Sequence, residues 1–110
     1  MADRAFLVFV WNEIRELPVN QRRALLLNLR DDQHRGMIGL LPLVGLASAD
    51  EIADVLEWPR EAFAAVWNDL PRDDEWIAAE LGVTRRQVIN LRKCARERLG
   101  RRVRAAAGRW

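Results

Sequence analysis

The 110-residue sequence has one cysteine, Cys94, and one histidine, His34. A lone thiol forms no disulfide within the chain, and one Cys with one His falls short of the ligand set of a zinc site, which excludes disulfide scaffolds and Cys/His metal centres. Cys/His nucleophilic catalysis is equally unsupported, because Cys94 falls in a basic helical pattern and His34 in a polar loop. No run approaches the roughly 18 continuous apolar residues that span a bilayer. The start of the chain has no cationic segment leading into a long apolar stretch and a cleavage site. A soluble protein of a reducing cytoplasm, without contact to membranes, is the expectation. No glycine-rich loop is placed to cradle phosphates. The adjacent acids Asp31-Asp32 and Asp73-Asp74-Glu75 stand at a loop and a helix start, where a helix dipole favours them without any acid/base role. The sequence therefore predicts no enzyme: no catalytic residue, no metal, no cofactor and no small-molecule substrate.

What the chain does have is apolar content and a divided charge. Half its residues are hydrophobic, enough for a core in a chain of one domain's length. The net charge of +2 hides an asymmetry: residues 1–71 hold 7 Arg against 11 Asp and Glu, giving −4, while residues 72–110 hold 11 Lys and Arg against 5 acids, giving +6. A phosphate backbone is drawn to the C-terminal third and repelled by much of the rest.

The apolar spacing is helical almost throughout and predicts an all-α, compact bundle of about five to seven helices in a single domain, ending in a helix-turn-helix with a long basic recognition helix. The first helix, from about Asp3 to Glu16, carries Phe6, Leu7, Val10 and Ile14, and its hydrophobic run Ala5 to Trp11 reads as buried; Leu17-Pro18 ends it. Asn20 is placed to cap a second helix, Gln21 to Leu29, with Leu25, Leu26 and Leu29 inside and Arg22, Arg23 and Arg30 on the other side. After the polar loop 31–36 comes GMIGLLPLVGL, Gly36 to Leu46, which reads either as a broken helix pair over the core or as an apolar surface awaiting a partner. Ser48 with Glu51 has capping-box spacing and opens a helix through Leu56. Trp58-Pro59 starts another, which reaches about Asp69 with Phe63, Val66 and Trp67 inside, and Leu70-Pro71 stops it.

In Asp74 to Leu99, Ile77, Ala78 and Leu81 mark a short helix, Gly82 a tight turn and Val83 its plug. Thr84 is an N-cap, and Val88, Leu91, Ala95 and Leu99 form the inward stripe of a second helix. At 100° per residue, Arg86, Asn90 and Lys93 fall opposite that stripe, with Gln87, Ile89 and Arg96 on its flanks. Arg suits guanine, Asn and Gln suit adenine, Ile meets a thymine methyl, and Lys and Arg suit phosphates. Arg85 lies nearer the stripe, reaching either a flanking phosphate or an acid such as Glu80 or Asp74. The same apolar template occurs 25 residues earlier, where Ile52, Ala53, Leu56, Trp58, Pro59, Arg60, Phe63 and Val66 align with Ile77, Ala78, Leu81, Val83, Thr84, Arg85, Val88 and Leu91. The chain thus divides into N-terminal helices with an apolar connector (1–46), an acidic corner (47–71) and a basic corner with a tail (72–110). In the acidic corner, Glu61, Ala62, Ala65 and Asn68 stand where Arg86, Gln87, Asn90 and Lys93 stand in the basic one, and they offer DNA nothing positive.

The run LGVTRRQVINLRKCARERL resembles region four of bacterial RNA polymerase sigma factors, the module that reads the −35 promoter element, in its Gly-Val-Thr-Arg turn and its basic helix ending in Arg-x-Arg-Leu. LPVNQRRALLLNL, Leu17 to Leu29, is similar to the opening helix of that region, and together they cover about a third of the chain. The resemblance implies that Arg85, Arg86, Gln87, Ile89 and Asn90 approach promoter bases or phosphates, that Lys93 approaches backbone, and that RNA polymerase core is a partner; Thr84 at the start of the helix and Arg96 on its flank are counted with them as DNA-binding residues. Residues 36–46 and the acidic corner have no counterpart in the familiar arrangement, which has one corner, and no segment resembles region two. The chain alone is thus expected to be a piece of a longer sigma-like protein or a small regulator. The competing expectation is a protein-interaction module that docks on polymerase or another regulator through Trp11, Trp58, Trp67, Trp76 and the segment 36–46. Sequence leaves open the DNA sequence read, the oligomeric state, and whether the tail Arg101 to Trp110 extends the last helix or frays.

Overall fold

The computed structural model describes residues 4–107, and all regular elements among them are helical. In chain order they are α1 (Arg4–Arg15), α2 (Val19–Leu26), α3 (Leu40–Leu43), α4 (Ala49–Val55), α5 (Arg60–Val66) continued by a 3-10 turn (Trp67–Asp69), α6 (Asp74–Leu81) and α7 (Arg85–Ala105). The structure is the expected all-α bundle, with α7 as its axis: α2, α6 and α1 all pack on it. Fully buried Leu17, Leu26, Leu27, Ile52, Leu56, Phe63, Ile77 and Val88 form the centre. Trp110 and the rest of the tail beyond residue 107 lie outside the described residues; up to Ala105 the tail continues α7, and Ala106 is buried.

Several local expectations are corrected. The run Ala5 to Trp11 is not a buried helix. Only Trp11 and Ile14 of α1 are buried, while Phe6, Leu7 and Val10 are half-buried and Val8 is exposed, so α1 is an amphipathic helix laid on the outside of the bundle. Asn20 does not cap α2: the capping position is Pro18, with no side-chain cap bond, and Asn20 sits in the first turn. Arg22 and Arg23, on the other side of α2 from its buried leucines, are half-buried and bonded. Arg22 donates from Nε to Leu17 O (2.8 Å) and from Nη1 to Val55 O (2.6 Å), and Arg23 donates from Nε to Leu56 O (2.8 Å). These guanidiniums cap the C-terminal carbonyls of α4, which have no helical partner of their own, and place positive charge at the negative end of that helix. The segment 36–46 divides between its two readings: Ile38 is buried and Leu41 and Leu46 pack on the core, while Leu40, Val44 and above all Leu43, 80 % exposed, face outward. Arg4 ties this loop to α1 by donating to the carbonyls of Val44 (2.8 Å) and Gly45 (3.0 Å).

The two corners correspond at the level of individual bonds. Ser48 caps α4 by accepting from Glu51 N, and 25 residues later Asp73 caps α6 by accepting from Trp76 N. In each corner the chain turns through a left-handed residue, Glu57 (φ 53°) or Gly82 (φ 67°). The next residue then closes the turn, Trp58 N donating to Ala53 O and Val83 N to Ala78 O, both at 3.0 Å. Helices α5 and α7 start 25 residues apart at Arg60 and Arg85, and then the copies diverge. Helix α5 ends after two turns, whereas α7 runs for 21 residues. Three of the tryptophans weld the corners together: Trp58 lies against Phe63 and Trp76 with ring centroids 6.2 and 6.3 Å apart, and Phe63 against Trp67 at 5.5 Å.

Candidate nucleic-acid interface

The outward face of α7 is built from its N-terminus. Thr84 adopts an extended conformation (φ −82°, ψ 159°), its hydroxyl accepts from Gln87 N (3.1 Å), and Gln87 Oε1 accepts from Thr84 N (2.8 Å). This reciprocal capping box satisfies two backbone donors and fixes where the helix begins. Thr84 and Gln87 thereby serve the helix itself. The Gln87 carbonyl oxygen is occupied, which leaves its amide N–H group to face a partner.

From that start, helical periodicity buries Val88, Arg92 and Ala95, half-buries Leu91 and Leu99, and exposes Arg85, Arg86, Ile89, Asn90, Lys93 and Arg96. The structure therefore gathers Arg86, Ile89, Asn90 and Lys93 on one solvent-facing strip, with Arg85 and Arg96 along its edge, over about 16 Å of helix. Arg85 pairs with neither Glu80 nor Asp74. It lines a cleft with Asn28, Arg30 and the acids Asp73, Asp74 and Glu75, and Asp74 already bonds Arg92. Asn90 and Gln87 border a shallow groove shared with Asn20, Val83, Leu91 and Cys94.

Helix α7 carries nine Arg or Lys and a single acid, Glu97. Two of the nine are ion-paired, Arg92 with Asp74 (2.7 Å) and Arg102 with Glu13 (3.2 Å), and the other seven have no ion pair among the described residues. On α5 and the 3-10 turn that continues it, the equivalent outward positions are exposed Glu61, Ala62, Ala65 and Asn68. Matching turns thus present opposite surfaces. The residue that sequence reasoning missed is Arg92, which stands on the inner face. Its signal is present in the spacing, because Val88, Arg92, Ala95 and Leu99 recur at four, three and four residues.

Among the described residues no group of three or more His, Cys, Asp or Glu could hold a metal ion, and no helix is long and apolar enough to cross a membrane. No protein-family model, no curated protein and no solved structure matches the chain.

Proposed function

We propose that the protein binds duplex DNA sequence-specifically through α7, as the promoter-reading module of a sigma-factor-like transcription initiation protein that works with RNA polymerase core. Arg86, Ile89 and Asn90 meet base edges in the major groove, while Arg85, Lys93 and Arg96 meet phosphates. One observation carries this reading: on the second helix of a fully formed corner, the outward cations are exposed and without an ion pair among the described residues, while in the preceding corner Glu61 and Asn68 stand in place of Arg86 and Lys93, and Arg60, the match of Arg85, is paired with Asp50 and Asp54. The acidic remainder repels phosphate and orients the approach. Fluorescence anisotropy with labelled promoter duplex at two salt concentrations tests it. The three phosphate contacts of Arg85, Lys93 and Arg96 predict an affinity falling by about 40-fold between about 50 and 200 mM salt. Absence of binding at the lower concentration overturns the reading.

A second reading, protein docking, is favoured by exposed Leu40, Leu43 and Val44 on and beside α3. The tryptophans give it less support, since Trp11 is buried and Trp58, Trp67 and Trp76 are engaged with other rings or, for Trp76, also with Arg72. Binding to RNA polymerase core that is lost in Leu43→Asp, with DNA affinity unchanged, is the result this second reading expects.

A further inference from the structure

Arg92 is 8 % exposed and is the one buried charged residue among those described. Its Nε donates to the Ala24 carbonyl of α2 at 2.9 Å, and its Nη2 donates to Asp74 Oδ1 of α6 at 2.7 Å. Ala24 is in the last turn of α2, where carbonyls lack a helical donor, and Asp74 is the first residue of α6. The guanidinium therefore sits between the negative end of one helix and an acid in the first turn of another, and it is rooted in the middle of a third.

A buried ion pair of this kind adds little stability over an apolar pair of similar volume, because desolvation offsets the attraction, but its directional bonds fix how the elements sit against one another. The molecule contains its own comparison. In the first corner the positions equivalent to Asp74 and Arg92 are Ala49 and Trp67, and that corner has a matching cap, a left-handed turn and the same closing bond without an ion pair at these positions. Folding a corner does not require the pair. It is present only where the second helix offers Arg86 and Asn90 to a partner.

We propose that Arg92 is a positioning residue of the DNA site. It touches no DNA; it fixes the rotation and axial register of α7 on α2 and α6, and sequence discrimination depends on that register. This rests on the DNA-binding reading above. A bidentate base contact discriminates roughly 5- to 150-fold against the wrong base only if its donors arrive in the plane of the base edge, whereas phosphate contacts tolerate a shifted helix.

The test selects a preferred duplex for the wild-type protein from a randomised pool, then measures affinity for that duplex and for a scrambled duplex of equal length. The double variant Asp74→Ala with Arg92→Met removes both charges and leaves neither unpaired. It is expected to keep its helical circular dichroism and to bind the scrambled duplex within about threefold of wild type, while the discrimination ratio falls by about tenfold or more. Arg92→Lys keeps the charge but not the two-pronged geometry, and is expected to give an intermediate ratio. A folded double variant with the wild-type ratio overturns the proposal, as does a loss of both affinities in proportion. If the double variant does not fold, an unchanged ratio in Arg92→Lys overturns it. Wild-type protein that binds no duplex, or binds all duplexes alike, removes the DNA reading itself, an outcome distinct from discrimination that survives in the variants.

Discussion

Replacing Gly82 with alanine tests whether the turn that aims α7 depends on a left-handed residue. Gly82 has φ 67° and ψ 35°, and a Cβ built there meets nothing within 4 Å. The penalty is therefore conformational and not steric. A non-glycine residue in this region costs about 1–2 kcal/mol, offset by about 0.4–1 kcal/mol because alanine also restricts the unfolded chain. The net expectation is destabilisation by about 1 kcal/mol, or about 4 °C in Tm for a domain of this size. The equivalent position of the first corner already holds a non-glycine residue, Glu57, at φ 53°. Its carboxylate is 60 % exposed and pairs with Arg22 at 3.1 Å, an interaction of about 0–1 kcal/mol. Glu57→Gly relieves the backbone but loses that pair and loosens the unfolded chain, so the three effects leave stability within about 0.5 kcal/mol of wild type. Urea unfolding followed by circular dichroism, with the denaturant slope checked for constancy, reads both variants. Gly82→Ala protein as stable as wild type refutes the argument.

Three further outcomes are expected. Arg86→Ala or Asn90→Ala lowers the preference for a selected duplex over a scrambled one by roughly 5- to 150-fold, whereas Lys93→Ala weakens both about equally and reduces the salt dependence by about one phosphate; competition titrations separate the two patterns. Gly36→Ala destabilises by about 1–3 kcal/mol in urea melts, because its Cβ would lie 2.7 Å from Pro71 Cδ and push the 30–36 loop off the segment before α6. Two hydrogen bonds from Arg60 hold the Asp54 carboxyl below its ordinary value, and the Arg35 amide and guanidinium with the Gln33 amide do the same for Asp31. With folded values below unfolded ones, this stability is present above about pH 4 and is lost as pH falls through the folded values; thermal melts across pH show the decline, and Asp54→Asn makes it shallower.

What sequence could and could not supply follows from the range of the interactions involved. The Ser48–Glu51 box, the turn at Gly82 and the Thr84 cap are set by residues within a few positions of one another, and local pattern places all of them. Gln87 is visible by the same rule, as the fourth residue of a Thr-x-x-Gln box, yet its amide chemistry suits a base contact equally well, and only the folded geometry shows its oxygen held by the cap. The arginines are the opposite case. Arg22, Arg23 and Arg92 bond to carbonyls 5 to 68 residues away; local spacing puts Arg92 on the inward stripe of its helix, but nothing local identifies the acceptors of any of the three. The acceptors that hold these guanidiniums, unpaired helix-end carbonyls and for Arg22 and Arg92 also an acid, come within reach only once the helices have been arranged. The apolar segment 36–46 is ambiguous for a related reason: four-residue α3 has no periodicity long enough to say which of its leucines turn inward.

The repeat separates what a corner needs from what one copy adds. Cap, left-handed turn, closing hydrogen bond and the apolar positions recur in both copies, so they are the requirements of the fold. The features confined to the second copy are the length of α7, the buried Arg92–Asp74 pair and the exposed cations that have no ion pair, since exposed Arg60 of the first copy is paired with Asp50 and Asp54. Length and support belong together: α7, 21 residues long and rich in like charges that disfavour an isolated helix, is supported by α2, α6 and α1, all of which pack on it. Of the cations without an ion pair, Arg86 and Lys93 stand on the solvent-facing strip, while Arg85 borders α6 and Arg98 borders α1. Their mutual repulsion makes the unbound protein less stable than its packing alone would allow, and neutralisation by a polyanion relieves it. If α7 binds DNA, binding therefore raises the melting temperature, whereas the first corner, with Glu61 at the matching position, gains nothing from the same ligand.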